Sequence, residues 1–264
     1  MAKLSLIASV SRIAHRQPKS VVSVLGARLP SAAVYEREYL YWPWGKLIEL
    51  ATSWLVECLP SGARLIDYMC GTGYLINEVH NRRPDLLVMG CDNNKSFIHY
   101  AKKHYAHLAL FEADARRFHP NGSLSAIVCT AGLHHLKYSD QSTFIAKIAS
   151  ELPENGYLIL GEELIGKHIT LQERNKEVVR LSTALLEYII DMDADRDVIK
   201  AAVDVLMNDL LERGEYKFSQ PQLEDMLQQF FVIEKVHRVW PVSDMGFGDY
   251  LFVCRKRREK LKCE

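Results

Sequence analysis

Leu65-Ile66-Asp67-Tyr68-Met69-Cys70-Gly71-Thr72-Gly73-Tyr74 decides the fold of this 264-residue chain. An apolar strand runs into an acid, then into a tight Gly-x-Gly turn, and a helical pattern begins after it. Gly71 and Gly73 let the backbone turn sharply and approach a ligand without side-chain collision. A carboxylate at Asp67 suits a ligand that carries an ammonium group. The stretch lacks the lysine that a triphosphate cradle uses. It therefore predicts a seat for a small polar ligand at the end of the first strand.

Outward from that turn, short apolar runs alternate with helical stretches. Strands are predicted at 63–69, 86–91, 108–112, 124–130, 156–162, 231–239 and 249–255, and helices at 74–82, 95–105, 140–151 and 220–229. This alternation predicts an α/β fold with a doubly wound, seven-stranded, mostly parallel sheet. The last two strands have no helix between them, only Trp240 to Gly248, and should pair as an antiparallel hairpin. Residues 169 to 213 break the alternation with helical periodicity alone, read as helices near Leu171–Ile190 and Asp197–Leu211. They would roof the site at the carboxyl end of the sheet, or serve as a structural or dimerising element. The expected organisation is a basic and aromatic cap over 1–60, a core over 61–166 and 216–258, and an inserted helical lid over 167–215.

Composition narrows the function classes. Thirty-three basic residues balance thirty-three acidic ones. A neutral chain has no global field to hold a polyanion, which argues against a general nucleic-acid binder. No run approaches the roughly 18 apolar residues of a membrane span. The six cysteines, at 58, 70, 91, 129, 254 and 263, show neither Cys-x-x-Cys nor zinc-finger spacing, so no metal site is expected and a reducing compartment is. The first 35 residues carry Lys3, Arg12, Arg16, Lys19 and Arg28, with no acid before Glu36. This composition fits a mitochondrial targeting segment, or else a basic arm or capping helix on a cytoplasmic protein.

Ligands of a doubly wound sheet sit beyond the carboxyl ends of its strands. Asp92 ends the second predicted strand 19 positions after Gly73, where a carboxylate can accept both hydroxyls of a ribose. Asn93 stands beside it, and Asn94 suits the N-cap of the helix that follows. Asp114 follows the third strand, where it can accept from an adenine amino group or serve as a turn residue. The fourth strand ends Cys129-Thr130-Ala131-Gly132-Leu133-His134-His135-Leu136. Small residues leave room for the reactive end of a ligand, and a histidine titrating near neutrality can act as general base. Adjacent residues point apart, so one of the two histidines is expected to face the pocket.

Asp67 to Gly73, Asp92, Ala113-Asp114-Ala115, Leu133-His134-His135-Leu136 and Leu152-Pro153-Glu154-Asn155-Gly156-Tyr157-Leu158 resemble the ordered motifs of class I S-adenosylmethionine-dependent methyltransferases of the small-molecule type. The resemblance covers about residues 45 to 165 and extends through the terminal hairpin. It implies S-adenosyl-L-methionine as cofactor. Asp67, Cys70, Gly71 and Gly73 would hold its amino acid end, Asp92 and Asn93 its ribose, and Asp114 and Ala115 its adenine. Thr130 and Gly132 would lie near the sulfonium.

The acceptor implied is a small molecule, methylated on oxygen, or on carbon or nitrogen. His134 or His135 would remove its proton, with Glu162 as second candidate. Tyr39, Trp42, Trp44, His135 and Glu163 would bind it, although the aromatics can equally pack the N-terminal region on the sheet, and Glu162 and Glu163 can pair with a cation such as Lys167. A non-catalytic cofactor-binding subunit is the alternative. A nicotinamide-dependent dehydrogenase is disfavoured by the terminal hairpin and by Ile76, where its glycine signature has Gly or Ala.

Overall fold

The computed structural model describes residues 30–258. The acid-poor, basic stretch predicted as targeting segment or arm lies largely in residues 1–29, outside the described residues. Helix α1 spans Ala32–Tyr41 and α2 spans Trp44–Cys58. The aromatic region thus forms two helices with a break between them. Pro43 explains the break: the residue before a proline is pushed out of the helical region, and Trp42 is extended at φ −84°, ψ 148°.

The core follows as β1 (Arg64–Tyr68), α3 (Tyr74–Arg82), β2 (Leu87–Asp92), α4 (Lys95–His104), β3 (Ala109–Glu112), β4 (Ala126–Thr130), α5 (Tyr138–Glu151) and β5 (Tyr157–Leu164). Two further helices, α6 (Leu171–Asp191) and α7 (Arg196–Leu210), precede α8 (Gln220–Gln228), β6 (Phe231–Trp240) and β7 (Gly248–Lys256). The sheet order is β3-β2-β1-β4-β5-β7-β6. β7 runs antiparallel to both β5 and β6, and the other pairings are parallel. The order reverses between β1 and β4, which opens a crevice at their carboxyl ends.

Two apolar layers hold the sheet. On one face α2 and α3 bury Leu47, Ala51, Leu55 and Ile76 against Leu65, Val128 and Ile159. On the other, α5 and α8 bury Phe144, Ile148, Leu223 and Leu227 against Ile66, Ile127 and Phe252. Each fully buried aliphatic side chain contributes about 1.5–3 kcal/mol. Gly161 in β5 fixes how close α2 can come: a Cβ there would collide with Leu47.

α6 and α7 pack on each other through Leu181, Leu185, Ile189, Val198 and Leu206, and on Trp240 and Phe247 of the terminal hairpin region. Both helices start on a local signal. Thr170 and Glu173 form a capping box, and the Asp195 carboxylate accepts from two backbone N–H groups. Arg37 of α1 donates to Asp195 at 2.9 Å, so the N-terminal helix and the inserted pair meet. Among the described residues no helix is long and apolar enough to cross a membrane.

Candidate active site

A cavity of about 710 Å³ lies over the β1/β4 crevice. Its walls come from α1 and α2, from the ends of β1, β2, β4 and β5, and from the segment after α7. Met69 (φ 59°) and Ala131 (φ 50°) both line it. Each holds a left-handed backbone that costs a non-glycine residue energy, of order 1–3 kcal/mol, so the turns after β1 and β4 store strain where they meet the cavity.

One end of the cavity is built from the glycine turn and two acids. Gly71, at φ 54°, sits against the Tyr35 ring of α1. Its N–H donates to Asp92 Oδ2 at 2.9 Å, and the Asn94 N–H donates to Oδ1 at 2.7 Å. Each Asp92 oxygen keeps a lone pair for a further donor. Burial raises the Asp92 pKa, against the pull of those N–H bonds. Asn94 caps α4, accepting from Ser96 and Phe97. Asp67 is buried beneath the turn with Oδ1 lacking any partner, and burial, reinforced by Asp92, pushes its carboxyl well up. An orphaned buried acceptor there fits a ligand that brings an ammonium group. At the β3 end, the Arg116 guanidinium grips Asp114 at 2.7 and 3.0 Å and reaches Asp140 at 2.8 Å. That grip lowers the Asp114 pKa.

The other end is a buried network of charge. Glu162, at the end of β5, accepts from the Gly132 and Leu133 N–H groups at 3.2 and 2.8 Å. Its second oxygen lies 2.6 Å from His134 Nδ1. When Glu162 is ionised it only accepts, and the short 2.6 Å contact, against 3.4 Å from Nε2 to Glu215, favours the hydrogen on Nδ1 and a lone pair on Nε2. Burial, with neighbouring His135, drives the His134 pKa well below its ordinary value. Burial also lifts Glu162 to about 7, although both N–H groups pull the other way. His134 Nε2 faces Glu215 at 3.4 Å. His135 Nδ1 donates to the Gly214 carbonyl at 2.9 Å.

Lys217 is fully buried and pairs with Asp209 (2.5 Å), Glu215 (3.0 Å) and Glu163 (3.1 Å). Burial opposes its charge, but the three carboxylates outweigh that and raise its pKa. Burial likewise opposes ionising Glu215, yet Lys217 and the histidines pull it down to about 2. His134, His135 and Glu215 present donor atoms within 4.8 Å of one another, a spacing a metal ion could use. Those donors are already engaged, because Lys217 holds Glu215 and His135 Nδ1 is bonded to Gly214.

Residues 65–156 match the family described as a methyltransferase domain. A carboxy-S-adenosyl-L-methionine synthase of Campylobacter hominis is 30% identical over 164 residues, which is 61% of this chain and 66% of that protein. A trans-aconitate 2-methyltransferase of Yersinia pseudotuberculosis is 28% identical over 92 residues, 35% of each chain. The chain thus spans just under two thirds of the carboxy-S-adenosyl-L-methionine synthase. The fold is that of a mycolic acid cyclopropane synthase solved with S-adenosylhomocysteine (TM-score 0.58, 15% identity, covering 80% of this chain and 83% of that one). It is also that of the Synechocystis magnesium protoporphyrin IX methyltransferase with bound S-adenosylmethionine (TM-score 0.54, 13% identity, 96% of both chains).

Residues 65–156 thus carry a methyltransferase domain, and the fold around them is that of S-adenosylmethionine-dependent methyltransferases. The orphaned Asp67 oxygen, the open Asp92 lone pairs and the glycine turn fit S-adenosyl-L-methionine, the group bound in that neighbour.

Against this family frame, the sequence-predicted site residues fall into two groups. Gly71, Asp92, Asn93, Asp114, Ala115, His134, His135, Glu162, Glu163, Trp42 and Trp44 line the one cavity. Both histidines line it, where one was expected, because they lie in the tight 3₁₀ turn Leu133–His135 with ring centroids 4.3 Å apart. The second group lies behind the wall, Asp67 among it, buried beneath Gly71. Cys70 packs its thiol under Gly90, and Gly73 opens α3 at φ 79°. Thr130 is buried, and Gly132 acts through its N–H to Glu162. Tyr39, expected to bind substrate, stacks on Tyr74 at 4.2 Å and packs on Trp44 at 4.3 Å, and it lines a separate recess. The cation paired with Glu163 is Lys217, whereas the sequence suggested Lys167. Glu38, Glu215, Lys217 and Asp249 were missed. No local motif marks them, and only the fold brings them to the cavity.

Proposed function

We propose that this chain transfers the methyl group of S-adenosyl-L-methionine to a small molecule, on an oxygen whose proton His134 removes. The carrying observation is the His134–Glu162 pair, buried where the cavity passes the end of β4, with Nδ1 turned to the carboxyl and Nε2 to the other side. Asp92, with Asn93 beside it, would hold the ribose, and Asp67 beneath Gly71 the ammonium end. Ala115 and the Arg116-gripped Asp114 would flank the adenine. Bound there, the cofactor would supply an activated methyl group, exchanging its sulfur–carbon bond for the acceptor–carbon bond and leaving as S-adenosylhomocysteine, while His134 Nε2 would take the acceptor's proton. Glu162 keeps the imidazole in the right tautomer and stabilises the imidazolium. α1 with α2, and α6 with α7, would exclude water from the transfer.

A second reading is synthesis of a carboxylated cofactor, favoured by the 164-residue similarity to a carboxy-S-adenosyl-L-methionine synthase. Incubating the protein with S-adenosylmethionine labelled in its methyl group and a small-molecule extract, followed by mass spectrometry, separates these. Methyl transfer yields S-adenosylhomocysteine and a labelled small molecule. A carboxylated cofactor with no S-adenosylhomocysteine supports the second reading. Cofactor binding with neither product supports a non-catalytic subunit.

A further inference from the structure

The cavity is lined by acids and cations together, the cations including Lys137, Arg213 and Lys217. Glu38, Glu162, Glu163, Glu215 and Asp249 all line it. Lys217 is already shared among Asp209, Glu215 and Glu163, and Arg174 is turned to Asp209 at 3.2 Å. Glu162 is occupied by His134 and two backbone N–H groups.

Glu38 and Asp249 are left over. Each is about 3% exposed, and neither forms an ion pair with another described residue. Glu38 Oε1 has no hydrogen-bond partner, and the Trp42 indole N–H is also without one. Two acids are thus carried from different elements, one from α1 and one from β7, into one cavity also lined by Trp42 and Trp44. A buried carboxylate with no partner is costly unless a positive group meets it. Burial lifts Glu38 to about 8, so a proton occupies it when nothing else does. Aromatic faces attract the same kind of charge.

We propose that the acceptor substrate carries a cationic nitrogen, a protonated amine or quaternary ammonium, held between Glu38 and Asp249 against Trp42 and Trp44. This rests on the reading that this end of the cavity takes the methyl acceptor. The cationic nitrogen anchors the substrate, while the hydroxyl that loses its proton lies toward His134. A cation lets both acids give up their protons and pair with it, a gain that a carboxylate does not offer, so the chamber favours a cationic acceptor over an anionic one.

Three phenols that differ only in the charge of the tail test this by calorimetry on the S-adenosylhomocysteine-loaded protein: tyramine, tyrosol and 4-hydroxyphenylacetate. Tyramine should bind about ten-fold or more tighter than tyrosol, with the carboxylate weakest. Glu38→Gln and Asp249→Asn should each reduce the preference for tyramine, and the double variant should abolish it, with tyrosol affinity retained. S-adenosylhomocysteine affinity in the same cell reports that each variant is folded. Equal binding of the three probes, tightest binding of the carboxylate, no binding of tyramine, or a preference that survives the double variant overturns the proposal. Repeating the titrations without S-adenosylhomocysteine keeps the two claims apart. A charge order that persists while S-adenosylhomocysteine fails to bind removes the cofactor reading and leaves the cationic chamber.

Discussion

The two ends of the cavity are built in opposite ways. At the glycine-turn end the groups follow one another within three consecutive strand ends, from Asp67 to Asp114, and each sits where a short motif places it. Its polar groups are only half used: Asp67 Oδ1 has no partner, and Asp92 accepts one N–H on each oxygen. The far end draws on α1, β4, β5, β7 and the segment after α7. Its charges are largely paired with one another before any ligand arrives. An end meant to recognise a fixed cofactor can be encoded locally. An end meant to move a proton needs a preorganised network, and preorganisation requires partners from across the chain.

The sharpest way to break this contrast is to remove the centre of the far network. Lys217→Met removes the cation shared by Asp209, Glu215 and Glu163, leaving Asp209 to Arg174 and Glu215 to the two histidines. It should destabilise the protein by about 3–5 kcal/mol in denaturant titration, because breaking a buried pair strands its partners. A loss under about 1 kcal/mol would show that the network is wet and loosely held.

Glu162→Gln is next. The glutamine oxygen can keep the Gly132 and Leu133 bonds, but its NH₂ would then face His134 Nδ1 and force the hydrogen onto Nε2. Single-turnover methyl transfer should fall by about 10²–10³, with cofactor affinity within about two-fold. In the wild type, the His134–Glu162 pair takes up its second proton near pH 7, whichever atom receives it. Below that pH Nε2 is no longer a base, so the rate should rise with pH through about 7 and level above it. A pH-independent rate between 6 and 8 would remove the pair from the chemistry.

Glu38 gives a smaller, opposite effect on stability. Its folded pKa of about 8 lies above the ordinary value of 4.5, so stability is full below pH 4.5 and falls as pH rises toward 8. Glu38→Gln should remove that slope, and its melting temperature should exceed the wild type's increasingly from pH 5 to 8, by up to a few kcal/mol in stability. Parallel curves for the two proteins would mean that Glu38 is solvated.

The smallest effect is expected at Tyr39. It packs on Tyr74 and Trp44, so Tyr39→Phe should change transfer rate and substrate affinity by less than about two-fold. A large change would bring Tyr39 back to the substrate.

The same contrast explains what could be read from the sequence. Strand-helix alternation carried the sheet, and the missing helix between Trp240 and Gly248 carried the antiparallel β7. Asp92 and the glycine turn were legible because a ligand cradle at a strand end needs small residues and an acid at fixed spacing. Lys217 and Asp249 were not. In sequence, Lys217 is one cation in a polar stretch, and Asp249 begins an apolar strand. Their importance comes from burial and from β5–β7 register, which sets Glu163 opposite Asp249. Tyr39 stayed open between substrate and packing because helical spacing does not tell which face of α1 meets α2 and which meets the cavity.

Calorimetry with S-adenosylhomocysteine on the wild type, Asp92→Ala and Glu162→Gln tests the central claim most directly, since it needs no acceptor. The separate construction of the two ends predicts tight binding to the wild type and to Glu162→Gln within about two-fold, and binding to Asp92→Ala weaker by about ten-fold or more. Equal affinity for Asp92→Ala, or a loss in Glu162→Gln as large as in Asp92→Ala, would contradict it.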